Sequence, residues 1–145
     1  MALPDALLDR LRRVKLLAID VDGVLTDGRL YFQADGIEIK AFHTQDGHGL
    51  KLLKRVGIHV ALITGRDSPM VSQRAAALGI THVYQGCEDK LTTLRALCQR
   101  LDITLEQVAY CGDDLPDLAP IKRSGVGITV PNAPDYMHTH ADWIT

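Results

Sequence analysis

The sequence has no excess of basic residues, no apolar run approaching the ~20 residues of a membrane span, and no closely spaced cysteine pair. Each absence excludes something. A net charge of -2 offers no electrostatic footprint for a nucleic-acid partner. The opening residues, MALPDALLDRLRRV, mix acids and arginines among the leucines. They have neither the basic start nor the continuous apolar stretch of a secretory signal, so a cytoplasmic protein with no membrane partner is expected. Cys87, Cys98 and Cys111 are odd in number and form no CxxC, which argues against a disulfide framework or a zinc site and for small reduced hydrophobes. Repeats, low-complexity tracts and linkers are also missing.

What is present fits one domain over residues 1–145, long enough to bury a core. Short apolar runs alternate with helical patterns. Lys15–Asp20, His59–Thr64, His82–Gln85, Val108–Cys111 and Val126–Val130 read as strands, and Asp142–Thr145 as the start of a sixth. Leu3–Val14, Asp46–Val56, Ser68–Gly79, Leu91–Leu101 and Leu115–Arg123 read as helices, with Asp46 and Ser68 as caps. Thr104 and Gln107 have the spacing of a capping box. Arg29–Gln33 and Ile37–Phe42 can pair across Ala34-Asp35-Gly36. The expected fold is α/β, a Rossmann-like three-layer sandwich with a parallel sheet covered on both faces, a β-hairpin flap after the first strand and no cap domain.

In such sheets ligands bind beyond the carboxyl ends of the strands. Asp20 and Asp22 follow the first strand, Thr64-Gly65-Arg66 the second, and Gly112-Asp113-Asp114 with Asp117 the fourth. Lys90 heads the helix after the third. Uncompensated carboxylates crowded together repel and hold on to protons, and a divalent cation removes that conflict. Magnesium, with its preference for hard oxygen ligands and a substrate phosphate, is the expected ion.

DVDGVLT, ITGR, the later lysine and GDDLPD together resemble the four motifs of the haloacid dehalogenase superfamily, from about Lys15 to Thr145. The resemblance implies a phosphatase. Asp20 would be the nucleophile that carries an aspartyl-phosphate, and Asp22 the acid and then the base. Thr64, Gly65, Arg66 and Lys90 would hold phosphate or substrate. Asp20, the Asp22 carbonyl and Asp113 would ligate magnesium, with Asp114 orienting that shell or Lys90, and Asp117 capping or anchoring its helix. The stretch TDGRLYFQADGIEIKAFHTQDGHGLKLL, with HVYQGCEDK and YCGDDLPDL, further resembles the family that hydrolyses 3-deoxy-D-manno-octulosonate 8-phosphate in lipopolysaccharide synthesis. That likeness implies a sugar-acid phosphate as substrate and a homotetramer, in which hairpins build a central barrel and neighbours close each active site. A nine-carbon sugar acid phosphate, or a low-activity tetramerisation module, remain alternatives.

Two departures stand out. Gln45 occupies a position where the family commonly has arginine, and an amide cannot grip a carboxylate as a guanidinium fork does. Relatives continue into a glycine-rich, basic tail, whereas this sequence stops at Thr145, so a weaker substrate affinity than in a tailed relative is expected. His43 and His48 stand between substrate contact and surface packing, and His138 with His140 reads as solvated surface.

Overall fold

The computed structural model describes residues 3–145. In chain order its elements are α1 (Asp5–Leu11), β1 (Leu16–Ile19), β2 (Tyr31–Phe32), β3 (Glu38–Ile39), α2 (Thr44–Arg55), β4 (His59–Ile63), α3 (Pro69–Leu78), β5 (His82–Tyr84), α4 (Lys90–Leu101), β6 (Val108–Cys111), α5 (Leu118–Arg123), β7 (Val126–Thr129), α6 (Asp135–His140) and β8 (Trp143–Ile144). Six strands form one sheet in the order β5-β4-β1-β6-β7-β8, and every neighbouring pair runs parallel. β1 lies inside the sheet, with Ala18 paired to Ala61 of β4 on one side and Tyr110 of β6 on the other.

Alternation along each strand sends successive side chains to opposite faces. Leu16 and Ala18 join Ala61, Ile63, Val108 and Tyr110 beneath α4, α5 and α6. Ile19 joins Val60, Leu62, Ala109 and Ile128 beneath α1, α2 and α3. Burying each large aliphatic chain contributes about 1.5–3 kcal/mol, so the two layers fix which way β1 presents its C-terminal end. This is the expected three-layer α/β sandwich, and no cap domain interrupts it.

Local differences from the sequence pattern have physical causes. α2 begins at Thr44 because His43 is its cap, its Nδ1 accepting the Gln45 amide at 3.1 Å. Asp46, expected as the cap, sits in the first turn instead, where an acid favours the helix dipole. Ser68 does precede Pro69 at the start of α3, but its hydroxyl makes no cap bond, and its amide donates to Gln85 Oε1 at 2.8 Å. Asp89 caps α4 by accepting the Thr92 amide at 3.0 Å, so Lys90 is its first helical residue. The helix expected from Leu115 starts as a 3-10 turn over Leu115–Asp117. The hairpin ladder shrinks to β2 and β3, and its turn uses Gly36 at φ 85. The short helix α6 was not legible from periodicity. It brings His138 Nε2 to 3.1 Å from the Val130 carbonyl, so that ring is tied to backbone rather than solvated. No helix among the described residues is long and apolar enough to cross a membrane.

Candidate active site

The loops after β1, β4 and β6 and the head of α4 meet at one sheet edge, in a cleft of about 560 Å³. Asp20, Asp22, Thr64, Gly65, Arg66, Lys90, Asp113 and Asp114 all line it, as does Asp117. A larger concavity, about 670 Å³, lies elsewhere, an apolar groove between α2 and the sheet lined by Leu17, Ile19, Leu53, Ile128 and Trp143. Gln45 borders that groove and not the acidic cleft of its own chain.

Asp20 continues β1, its amide donating to the Cys111 carbonyl at 2.9 Å. Its carboxylate receives Lys90 Nζ at 2.9 Å. The same ammonium donates to Asp117 Oδ1 at 2.7 Å, in a setting where both side chains are almost fully buried. Burial opposes the charge on Lys90, but Asp117 and Asp20 outweigh it and hold its pKa above the usual lysine range. Burial, then the Asp117 carboxylate, raise the pKa of Asp20 despite the counter-pull of Lys90.

Asp117 is the most connected acid. Oδ1 also accepts the Tyr110 hydroxyl at 2.7 Å, while Oδ2 accepts the amides of Asp113 at 3.1 Å and Asp114 at 3.3 Å. It therefore shapes the loop and steers Lys90, a larger part than helix anchoring. Asp114 does not contact Lys90. It accepts its neighbour Leu115's amide at 2.8 Å and the Tyr136 hydroxyl, and these two bonds hold its carboxyl below the usual range.

Oxygens of Asp20, Asp113 and Asp117 lie within 4.8 Å of one another. Burial, followed by the charges of Asp20 and Asp117, pushes Asp113 up to about 7. Such a cluster of hard oxygen donors holding an unwanted proton fits a divalent cation. Four donors already occupy Asp117, so Asp20 and Asp113 are the better ligand pair. Backbone shape agrees. Gly23 has φ +91, and a Cβ there would stand 1.9 Å from Asp113 Oδ2, so the loop after β1 can pass Asp113 only as glycine.

Thr64 is buried at the end of β4, its amide bonded to the Tyr84 carbonyl at 2.9 Å. Arg66 forms a two-pronged ion pair with Glu38 of the hairpin, 3.0 Å at each prong. Asp22 pairs with Lys40, which also lies 3.1 Å from Glu38. Sequence reading passed over Glu38, Lys40 and Tyr110. The signal was there in Ile37-Glu38-Ile39-Lys40, whose alternation puts both charges on one face of a strand. Tyr110, in a wholly buried strand, had to find a partner for its hydroxyl. Burial, and then the neighbouring acids, push the Cys111 thiol up to about 12.

Comparison with known proteins gives the family. Residues 82–145 match the model of the haloacid dehalogenase-like hydrolases. The chain is 43% identical over 132 residues to the 3-deoxy-D-manno-octulosonate 8-phosphate phosphatase KdsC of Escherichia coli K12, covering 91% of this chain and 70% of that protein. The crystal structure of the Moraxella catarrhalis phosphatase of that name, in complex with magnesium, phosphate and KDO, superposes with a TM-score of 0.92. It is 49% identical, across 94% of this chain and 79% of the other. The cobalt-bound Haemophilus influenzae enzyme (YrbI) gives a TM-score of 0.89 at 41% identity, over 93% and 79% of the two chains. With its acids, lysine and hairpin arranged on this sheet edge, the chain belongs to the 3-deoxy-D-manno-octulosonate 8-phosphate phosphatase family of haloacid dehalogenase-like phosphomonoesterases.

Proposed function

We propose that residues 1–145 form a single phosphatase domain that hydrolyses a sugar-acid phosphate, 3-deoxy-D-manno-octulosonate 8-phosphate, for lipopolysaccharide synthesis. The observation that carries this reading is the Lys90 ammonium between Asp20 and Asp117, beside Asp113, at the end of β1. A free carboxylate oxygen of Asp20 attacks phosphorus, and the bond from phosphorus to the sugar oxygen breaks. Asp22 gives its proton to that leaving oxygen. Water then attacks the aspartyl-phosphate, Asp22 takes the water's proton, and Asp20 is released as a carboxylate. Lys90 and Thr64 hold the phosphoryl oxygens, with the Gly65 and Arg66 segment at the rim. Asp20, the Asp22 carbonyl and Asp113 would hold magnesium, which supplies charge neutralisation for the phosphoryl group. Asp114 keeps the adjoining loop in register through Leu115 and Tyr136.

The hairpin supports a homotetramer. Leu30, Phe32, Ile37 and Ile39 are each about half exposed or more, and the register puts Phe32 and Ile39 on opposite faces, so both faces of the hairpin leave apolar surface in water in an isolated chain. Packing hairpins together would cover it and set a neighbour's surface over each cleft. Three free thiols fit a reducing cytoplasm.

Phosphate release should be measured with magnesium on 3-deoxy-D-manno-octulosonate 8-phosphate, a nine-carbon sugar acid phosphate and an aryl phosphate. Preference for the first supports the proposal. Preference for the nine-carbon acid would follow if Gln45 retunes carboxylate recognition. No release from any of them would sink the enzymatic reading and leave an assembly module.

A further inference from the structure

The hairpin carries a lysine whose burial asks for an explanation. The Lys40 side chain is only 3% exposed, although it leaves a ladder of two residues per strand whose other face is open to water. Burying an ammonium costs several kcal/mol unless it is well paired. Its partners are Glu38, one strand step away on the same face, and Asp22 on the loop after β1. Glu38 is in turn clamped by both prongs of Arg66. A chain of alternating charges, Asp22–Lys40–Glu38–Arg66, thus runs from the first catalytic loop through the flap to the loop after β4.

Among the described residues, Lys40 is the one hydrogen-bond donor to the Asp22 carboxyl, and it binds Oδ1. Asp22 lies beyond the end of β1, where no strand ladder orients its side chain. Proton transfer to a leaving oxygen needs a donor within about 2.6–3.2 Å, and a misplacement of about 1 Å can cost about 100-fold. With Oδ1 fixed by Lys40, Oδ2 is the oxygen left to carry the proton. The contact survives both half-reactions, because Oδ1 accepts from the ammonium whether or not Oδ2 is protonated.

We propose that Lys40 is a positioning residue that aims the Asp22 carboxyl at the leaving oxygen, with Glu38 and Arg66 as the brace that holds Lys40 in place. The proposal rests on the acid role given to Asp22 above. It makes the flap part of the proton-transfer apparatus.

Leaving-group dependence tests it, because a good leaving group needs no proton. The values of kcat/KM should be measured with magnesium for a primary alkyl phosphate and for 2,4-dinitrophenyl phosphate. Lys40→Met should lose about 100-fold on the alkyl ester, the lower end of usual acid–base contributions, and no more than about threefold on the dinitrophenyl ester. Lys40→Arg should recover most of the alkyl activity. Asp22→Asn should show the same pattern, more strongly. Should Lys40→Met not fold by circular dichroism, Glu38→Gln carries the test, with a smaller loss of the same selectivity. Equal losses on both esters, or no loss, would overturn the proposal while leaving Asp22 in its role. If Asp22→Asn itself lacked leaving-group dependence, the acid reading would fall and the proposal with it.

Discussion

Lys90 donates to Asp117 at 2.7 Å, joining the first residue of α4 to the loop after β6 across the floor of the cleft. Through this bond the cation that pairs with Asp20 is positioned by Asp117, whose own carboxylate lies within 4.8 Å of those of Asp20 and Asp113.

Removing one member of such a buried pair leaves the other charge without compensation. Lys90→Met should destabilise the fold by about 3–5 kcal/mol in urea unfolding and lower kcat/KM by at least about 100-fold. The ammonium's pKa is raised in the folded state, so its stabilising contribution is complete at neutral pH. It is lost only as pH climbs through the alkaline range above ordinary lysine titration. A folded variant with near-native turnover would contradict the placement of Lys90 at the phosphate.

Asp113 gives a prediction of the same sign in a lower pH window. Its folded pKa of about 7 exceeds that of a carboxyl in an unfolded chain, so the metal-free fold retains a proton that the unfolded chain releases. The metal-free protein should therefore lose stability as pH rises from about 4 to about 7 and level off above that. Magnesium competes with the same proton. Its apparent affinity by calorimetry should rise about tenfold per pH unit below about 7 and flatten above. A pH-independent affinity between pH 5 and 7 would remove Asp113 from the ligand set.

Gly23→Ala tests the close approach of the two loops. The added methyl meets Asp113 Oδ2 in a backbone conformation that L-residues rarely adopt. Magnesium affinity should fall at least tenfold, a loss that calorimetry would register even in a variant too slow to assay. Asp114→Asn, which disturbs neither Asp113 nor Lys90 directly, should keep magnesium affinity within about threefold.

Phe32→Glu places charge on the most exposed aromatic of the hairpin, 60% exposed in the isolated chain. In sedimentation velocity the variant should shift from tetramer to smaller species. If the native protein sediments as a monomer, the apolar hairpin has another purpose and the tetramer is wrong.

The positions of the acids were legible because they obey a topological rule, that polar residues after buried strands collect at one sheet edge. Buried strands such as His59–Ile63 are apolar without alternation, which made the parallel sheet readable too. Relations among side chains far apart in sequence were not readable. Nothing local in GDDLPD tells that Asp117, rather than Asp114, receives Lys90, because that depends on how the 3-10 turn at Leu115–Asp117 aims each carboxyl. Cap identities failed for the same reason. Asp46 suits a helix start by residue type, whereas α2 is capped by the His43 ring.

The ladder reaches Asp20 itself, through its amide and the Cys111 carbonyl, and β1 is paired on both sides. The flap's own backbone ladder is a single short pairing, and side-chain ion pairs to Asp22 and Arg66 tie it to the domain. In amide exchange the two should therefore run on different clocks. The protons of β1 wait for global unfolding, and those of the flap leave through local opening. The mouth can breathe many times in the life of one molecule while the floor beneath it never loosens.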